Sequence, residues 1–125
     1  MILDTNGLSA AADGNPELEP ILRRASEIAV PVIVLGEYRY GIRYSRDREG
    51  YEQWLTESLP GYRVLAVDGE TYEYYADIRS ELKRQGRPIP ANDLWIAALT
   101  RQHALPLISR DQHFDAVQGL RRVGW

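Results

Sequence analysis

The chain has 125 residues, 44% of them hydrophobic, a formal net charge of −3 and no cysteine. That length and apolar content suit one domain over residues 1–125, and the missing cysteines exclude disulfides, thiolate nucleophiles and cysteine-based zinc sites. With only two histidines, His103 and His113, a metal would have to be held by oxygen, which favours Mg²⁺ or Mn²⁺, and the acidic balance argues against a broadly basic nucleic-acid coat.

In chain order, Met1–Asp4 reads as a short buried strand and Asn6–Ala12 as a first helical segment. Gly14-Asn15-Pro16 is a turn, and Glu17–Ser26 an amphipathic helix with Pro20 near its start. Ile28–Val30 is a second strand, ended by Pro31. Val32–Tyr44 is a helix that sets Ile33, Gly36, Glu37 and Tyr40 on one face. Arg48–Ser58 is another helix, closed by Pro60-Gly61. Tyr62–Val67 alternates as a strand does. Glu70–Gln85 aligns Tyr74, Ile78 and Leu82 on a long helix ended by Gly86. Pro88-Ile89-Pro90 is a stiff connector, and Asn92–His103 a helix with Leu94, Ala97, Ala98 and Leu99 turned inward. Pro106–Ser109 is a strand, Gln112–Val117 a short helix and Arg121–Val123 a last strand. Short apolar strands separated by longer helices predict an α/β sandwich on a mainly parallel sheet.

The first residues carry no basic leader, and no apolar run approaches the ~20 residues that span a bilayer. A cytoplasmic location and no membrane partner are the expectation.

Four acids stand at the mouths of apolar segments. Asp4 closes the first strand, Glu37 interrupts Val32–Tyr38, Asp93 opens the Asn92–His103 helix, and Asp111 follows Leu107-Ile108-Ser109-Arg110. In parallel sheets, ligands bind beyond the carboxyl ends of the strands where strand order reverses, so these acids are expected to meet there. An ionised carboxylate beside apolar residues is costly unless something offsets its lost hydration, and a divalent cation does that. Thr5, Asn6 and Ser109 are placed to orient a carboxylate or to hydrogen-bond a phosphate.

Each residue also has a structural reading. Asp4 and Asp111 are suitable helix N-caps. Asp93 complements a helix dipole, although Asn92 is the better cap and leaves Asp93 free. Asp115 reads as a solvated helix residue, His113 as a surface histidine and His103 as a helix-end cation. The tyrosines of 70–75 suggest a half-buried face and an interface. Of the basic groups, Arg39, Arg43 and Arg46 are the candidates for holding a nucleic-acid backbone beside Glu37. Arg79, Lys83, Arg84 and Arg87, like Arg121 and Arg122, read as solvated faces.

The stretches Ile2-Leu3-Asp4-Thr5-Asn6, Pro31–Glu37, Asn92–Ala98 and Ile108–Asp115, in this order and spacing, resemble the PIN-domain ribonucleases, in particular the VapC-type toxins of bacterial toxin–antitoxin modules. The resemblance implies a PIN-like three-layer α/β/α sandwich and Mg²⁺- or Mn²⁺-dependent endonucleolytic hydrolysis of RNA, leaving a 5′-phosphate and a 3′-hydroxyl. It also implies a cognate antitoxin and a homodimer. By motif, Asp4, Glu37, Asp93 and Asp111 take the catalytic, metal-binding acidic positions, and Thr5, Asn6 and Ser109 the accessory polar ones. Asp115 matches an acid that some members use as a further ligand.

Two rivals remain at this point. One is a PIN-fold binding module without catalysis, although all four acids are kept. The other is a phosphohydrolase with Asp4 as covalent nucleophile. Haloacid-dehalogenase-like enzymes of that kind need a second Asp two residues on, where this chain has Asn6, and a suitably placed lysine, of which Lys83 is the only one.

Overall fold

Ile2-Leu3, strand β1, has no exposed surface and lies at the centre of a five-stranded sheet. In the computed structural model, which describes residues 1–125, the remaining strands are β2 (Ala29–Pro31), β3 (Arg63–Leu65), β4 (Leu107–Ile108) and β5 (Arg122–Val123). Their order is β3-β2-β1-β4-β5, and every neighbouring pair is parallel. From β1 the chain steps to β2 and β3 on one side, then returns to place β4 and β5 on the other. Strand order therefore reverses between β1 and β4, where Leu3 aligns with Ile108.

The helices are α1 (Thr5–Ala12), α2 (Glu19–Arg24), α3 (Val32–Ile42), α4 (Arg48–Ser58), α5 (Thr71–Arg84) and α6 (Ala91–His103). They flank the sheet in a PIN-like α/β/α arrangement. Helix α3 packs on α1, α4 and α6, and α5 pairs with α6. One cluster of 23 buried apolar residues joins these layers, as a parallel sheet covered by helices requires. No helix is long and apolar enough to cross a membrane.

The predicted elements are present with ends moved by a few residues, except that the expected helix Gln112–Val117 is a 3₁₀ turn over Gln112–Ala116. Helix α4 has the predicted bounds. Helix α2 begins at Glu19, which sets Pro20 in its first turn, where no amide partner is lost. Helix α5 ends before Gly86, whose φ of +68° reverses the chain at low steric cost. The sequence left the inward face of α3 open, and the cap of α6 needs correcting. The face of α3 turned to the core is Val34, Tyr38 and Ile42; Gly36 and Tyr40 face outward, because the apolar run 32–35 leaves the helical phase undetermined. Asn92 does not cap α6. Pro90 holds the extended N-cap position, no side chain caps the helix, and Asn92 is exposed inside the first turn.

Leu99 on α6 is fully buried in this cluster. Leu99→Ala is expected to lower unfolding free energy in urea by about 2–5 kcal/mol, through lost transfer energy and the cavity left behind.

Candidate functional site

The end of β1 and the start of α1 build the first part of the site together. Asp4 has extended backbone, its carbonyl oxygen accepts from the Leu8 amide, and its Oδ1 accepts from the Gly7 amide at 2.7 Å. The capping and functional readings of Asp4 thus describe one geometry, since the cap fixes the carboxylate at the sheet edge. Gly7 has a role that residue type alone did not reveal. A methyl there would stand 3.0 Å from Leu3 Cδ2 and 3.2 Å from both Asp4 Oδ1 and the Ile108 carbonyl oxygen. A residue without Cβ lets α1 start this close beneath β1 and β4 without any neighbour giving way.

β4 supplies the opposite wall. Ser109 is fully buried, and its Oγ accepts from the Asp111 amide at 2.9 Å. Asp111 then caps the 3₁₀ turn Gln112–Ala116, accepting from the His113 amide at 2.9 Å. His113 Nδ1 lies 3.0 Å from the same Asp111 Oδ1. His113, though exposed, is therefore a direct neighbour of the acids.

Glu37 comes from α3 and is half-buried. Its Oε1 accepts from the Thr5 hydroxyl at 3.1 Å, which ties α3 to the start of α1. Asp93 comes from the first turn of α6, is also half-buried, and accepts no protein hydrogen bond. Asn6 is exposed beside Thr5.

Electrostatics joins the four acids. Asp4 is only 4% exposed, and burial pushes its carboxyl above the usual range. The Ser109 hydroxyl and Gly7 amide oppose that rise, and the charges of Asp111 and Glu37 add to it. Asp93 is pushed up to about 6, first by burial, then by Asp111, Glu37 and Asp4, with His113 opposing. The four carboxylates, from four separate elements, thus occupy one field.

They do not close on a point: no three Asp, Glu or His side chains stand close enough to enclose an ion. Oδ1 or Oε1 of Asp4, Glu37 and Asp111 is already engaged by a protein donor. The donor set is nevertheless all oxygen, anionic and short of hydration. That chemistry suits a hard divalent cation that keeps part of its water shell.

The other predicted residues make contacts of their own or are exposed. Asp115 Oδ1 and Oδ2 accept from Arg122 Nε and Nη2 at 2.8 and 2.9 Å, and this pair holds the Asp115 carboxyl below its ordinary range. Arg122 is accordingly half-buried on β5, not on a solvated face, and also donates to the Ser109 carbonyl oxygen at 3.1 Å. Arg39 turns to α4, with Nη2 3.7 Å from Glu52 Oε1. Arg43 and Arg46 are exposed.

The chain belongs to the PIN-domain family, whose family model matches residues 1–120, and within it to the VapC group. Ribonuclease VapC5 of Mycobacterium tuberculosis is 32% identical over 124 residues, covering 98% of this chain and 90% of the relative. Ribonuclease VapC2 of Haemophilus influenzae is 30% identical, covering 99% and 96%. Among solved structures, DNA-bound VapBC from Salmonella typhimurium superposes with a TM-score of 0.87 at 26% identity, covering 99% of this chain and 96% of the other. VapBC2 from Rickettsia felis, bound to a DNA fragment from its promoter, gives 0.86 at 27%, covering 99% and 97%.

The raised Asp93 pKa has a signed consequence. Between about pH 4 and 6 the folded protein keeps a proton that the unfolded chain has released, so metal-free stability falls as pH rises through that window. Asp93→Asn is expected to stabilise the metal-free protein at about pH 7.5 by on the order of 1 kcal/mol, after solvent screening, and to lose that advantage by about pH 3.5. Urea denaturation in EDTA at both pH values measures this, and equal stability at the higher pH contradicts it.

Proposed function

We propose that the chain is a divalent-metal-dependent endoribonuclease, the toxin of a type II toxin–antitoxin pair. The observation that carries this reading is the shared field of Asp4, Glu37, Asp93 and Asp111 at the strand-order reversal. The relatives' names support ribonuclease chemistry. The solved VapBC-5 of M. tuberculosis, a member of a family of toxin–antitoxin systems, supports an antitoxin partner.

Asp4, Glu37, Asp93 and Asp111 would hold one or two Mg²⁺ or Mn²⁺ ions, with Asp115 kept on Arg122. When bound, such an ion neutralises charge on a phosphoryl oxygen and lowers the pKa of a coordinated water. The chain's own part is orientation. The Gly7 amide and Ser109 fix Asp4, Thr5 fixes Glu37, and the 3₁₀ turn fixes Asp111. Donors that grip the carboxylates from behind in this way tune affinity and geometry. Asp93, with no protein donor, would be the acid left free to orient toward such an ion. Asn6, exposed beside Thr5, is available to a substrate phosphate. In the cytoplasm the protein works as a homodimer, for which light scattering of the isolated chain should give about twice 14.3 kDa.

End-labelled RNA provides the test. Discrete cleavage is expected with Mg²⁺ or Mn²⁺, none with EDTA, and at least a hundredfold loss in Asp4→Asn, on the order of removing a principal charge-stabilising group. Thr5→Val should lose roughly tenfold to a hundredfold while its unfolding temperature falls by only about 2–8 °C, the loss of one hydrogen bond. Equal cleavage by wild type and Asp4→Asn would contradict the reading and favour the binding module.

A further inference from the structure

Two clefts flank the connector between α5 and α6. The first, of about 410 Å³, has an apolar floor that includes Leu82, Ile89 and Leu94, with Arg79 and Lys83 on its rim. The second, of about 380 Å³, lies across Pro88 and Ile89, which both clefts share, and is bordered by Arg87 and His113. The second cleft reaches the acidic centre through His113, whose Nδ1 is 3.0 Å from Asp111 Oδ1, and the first joins it across the shared Pro88 and Ile89.

The charges around these clefts are uncommitted. Arg79, Lys83 and Arg87 are exposed, and none has a carboxylate within ion-pair distance, whereas Arg39, Arg48, Arg101 and Arg122 each have one. Arg79 donates only to the Tyr75 hydroxyl, at 2.9 Å, and lies over that ring, which itself stacks on Trp95. The one acid bordering the second cleft, Asp115, is already neutralised by Arg122. A positive rim beside a negative centre is what a polyanion needs if its reacting phosphate is to approach carboxylates in a chain of net charge −3. Prolines at 88 and 90 and the turn at Gly86 preform the ridge, so little ordering cost falls on binding.

We propose that these two clefts seat successive nucleotides of single-stranded RNA astride the Pro88–Ile89 ridge, with Arg79 and Lys83 on one side and Arg87 on the other neutralising its phosphates. A base rests on the aliphatic floor of the first cleft, where burying its apolar face does not read sequence. This rests on the ribonuclease reading and moves the backbone contacts from Arg39, Arg43 and Arg46 to the end of α5.

The test is fluorescence anisotropy with a fluorescein-labelled, mixed-sequence 12-nucleotide RNA, in Mg²⁺ and at several salt concentrations, with cleavage blocked by Asp93→Asn. Adding Lys83→Gln and Arg87→Gln should weaken binding about tenfold and reduce the slope of log affinity against log salt by about 1.4, the loss of two single-strand phosphate contacts. Arg43→Gln with Arg46→Gln should change little. Both pairs are exposed, and thermal melting checks that each variant folds. Unchanged slope in the Lys83/Arg87 variant, or an equal loss in the Arg43/Arg46 variant, overturns the proposal while EDTA-sensitive cleavage by wild type keeps the nuclease reading. Weakened binding of an acidic peptide with unchanged RNA affinity also overturns it and assigns the clefts to a protein partner. If wild type neither binds nor cleaves RNA, both readings fall together.

Discussion

Asp4 is almost fully buried where β1 and β4 lie side by side, so its carboxylate has lost most of its water and shares a field with Glu37, Asp93 and Asp111. Desolvation and like-charge repulsion act in the same direction here, since both disfavour the ionised forms. The surroundings answer the two unequally. Hydrogen bonds from Gly7, Thr5 and the His113 backbone hold three of the acids in place. They remove neither effect at Asp93, which has no such donor and is pushed up to about 6, first by burial and then by the neighbouring charges.

Much of the fold around this centre serves to keep those four residues at one edge. The sheet order puts the ends of β1 and β4 together, and Arg122 on β5 braces the Ser109 carbonyl while it neutralises Asp115. The Thr5–Glu37 hydrogen bond links α1 to α3 across a chain separation that no local preference could bridge. Gly7 lets the first helical turn lie against Ile108. Three of the four acids, each tied to a protein donor, have little freedom to turn away from one another. A counter-ion is then the remaining way to offset their charge, which is the physical ground for reading the centre as a cation site.

Element types and order were legible because short apolar strands and long periodic helices differ clearly in pattern; the limits of α4 follow from charged residues at its start and Leu59-Pro60-Gly61 after it. The positions of the acids were legible for the same reason, since each interrupts or ends an apolar run. The inward face of α3 was not, because four consecutive apolar residues give no phase. The start of α6 was misread because Asn92 has the better capping side chain, yet Pro90 fixes the extended turn two residues earlier. The partners of the arginines were beyond local reading altogether. Arg39 meets Glu52 and Arg122 meets Asp115 only after the helices and strands have packed, and those long-range pairings decide which cations stay free.

The most direct test is a carboxyl-carbon NMR titration of Asp93, with and without Mg²⁺. Without metal the resonance should titrate near pH 6, and saturating Mg²⁺ should move its midpoint below about pH 5, because a bound cation favours the ionised form. A midpoint near the ordinary aspartate value of about 4, indifferent to Mg²⁺, would mean that the acids share no field and hold no ion, and would contradict the account at its base.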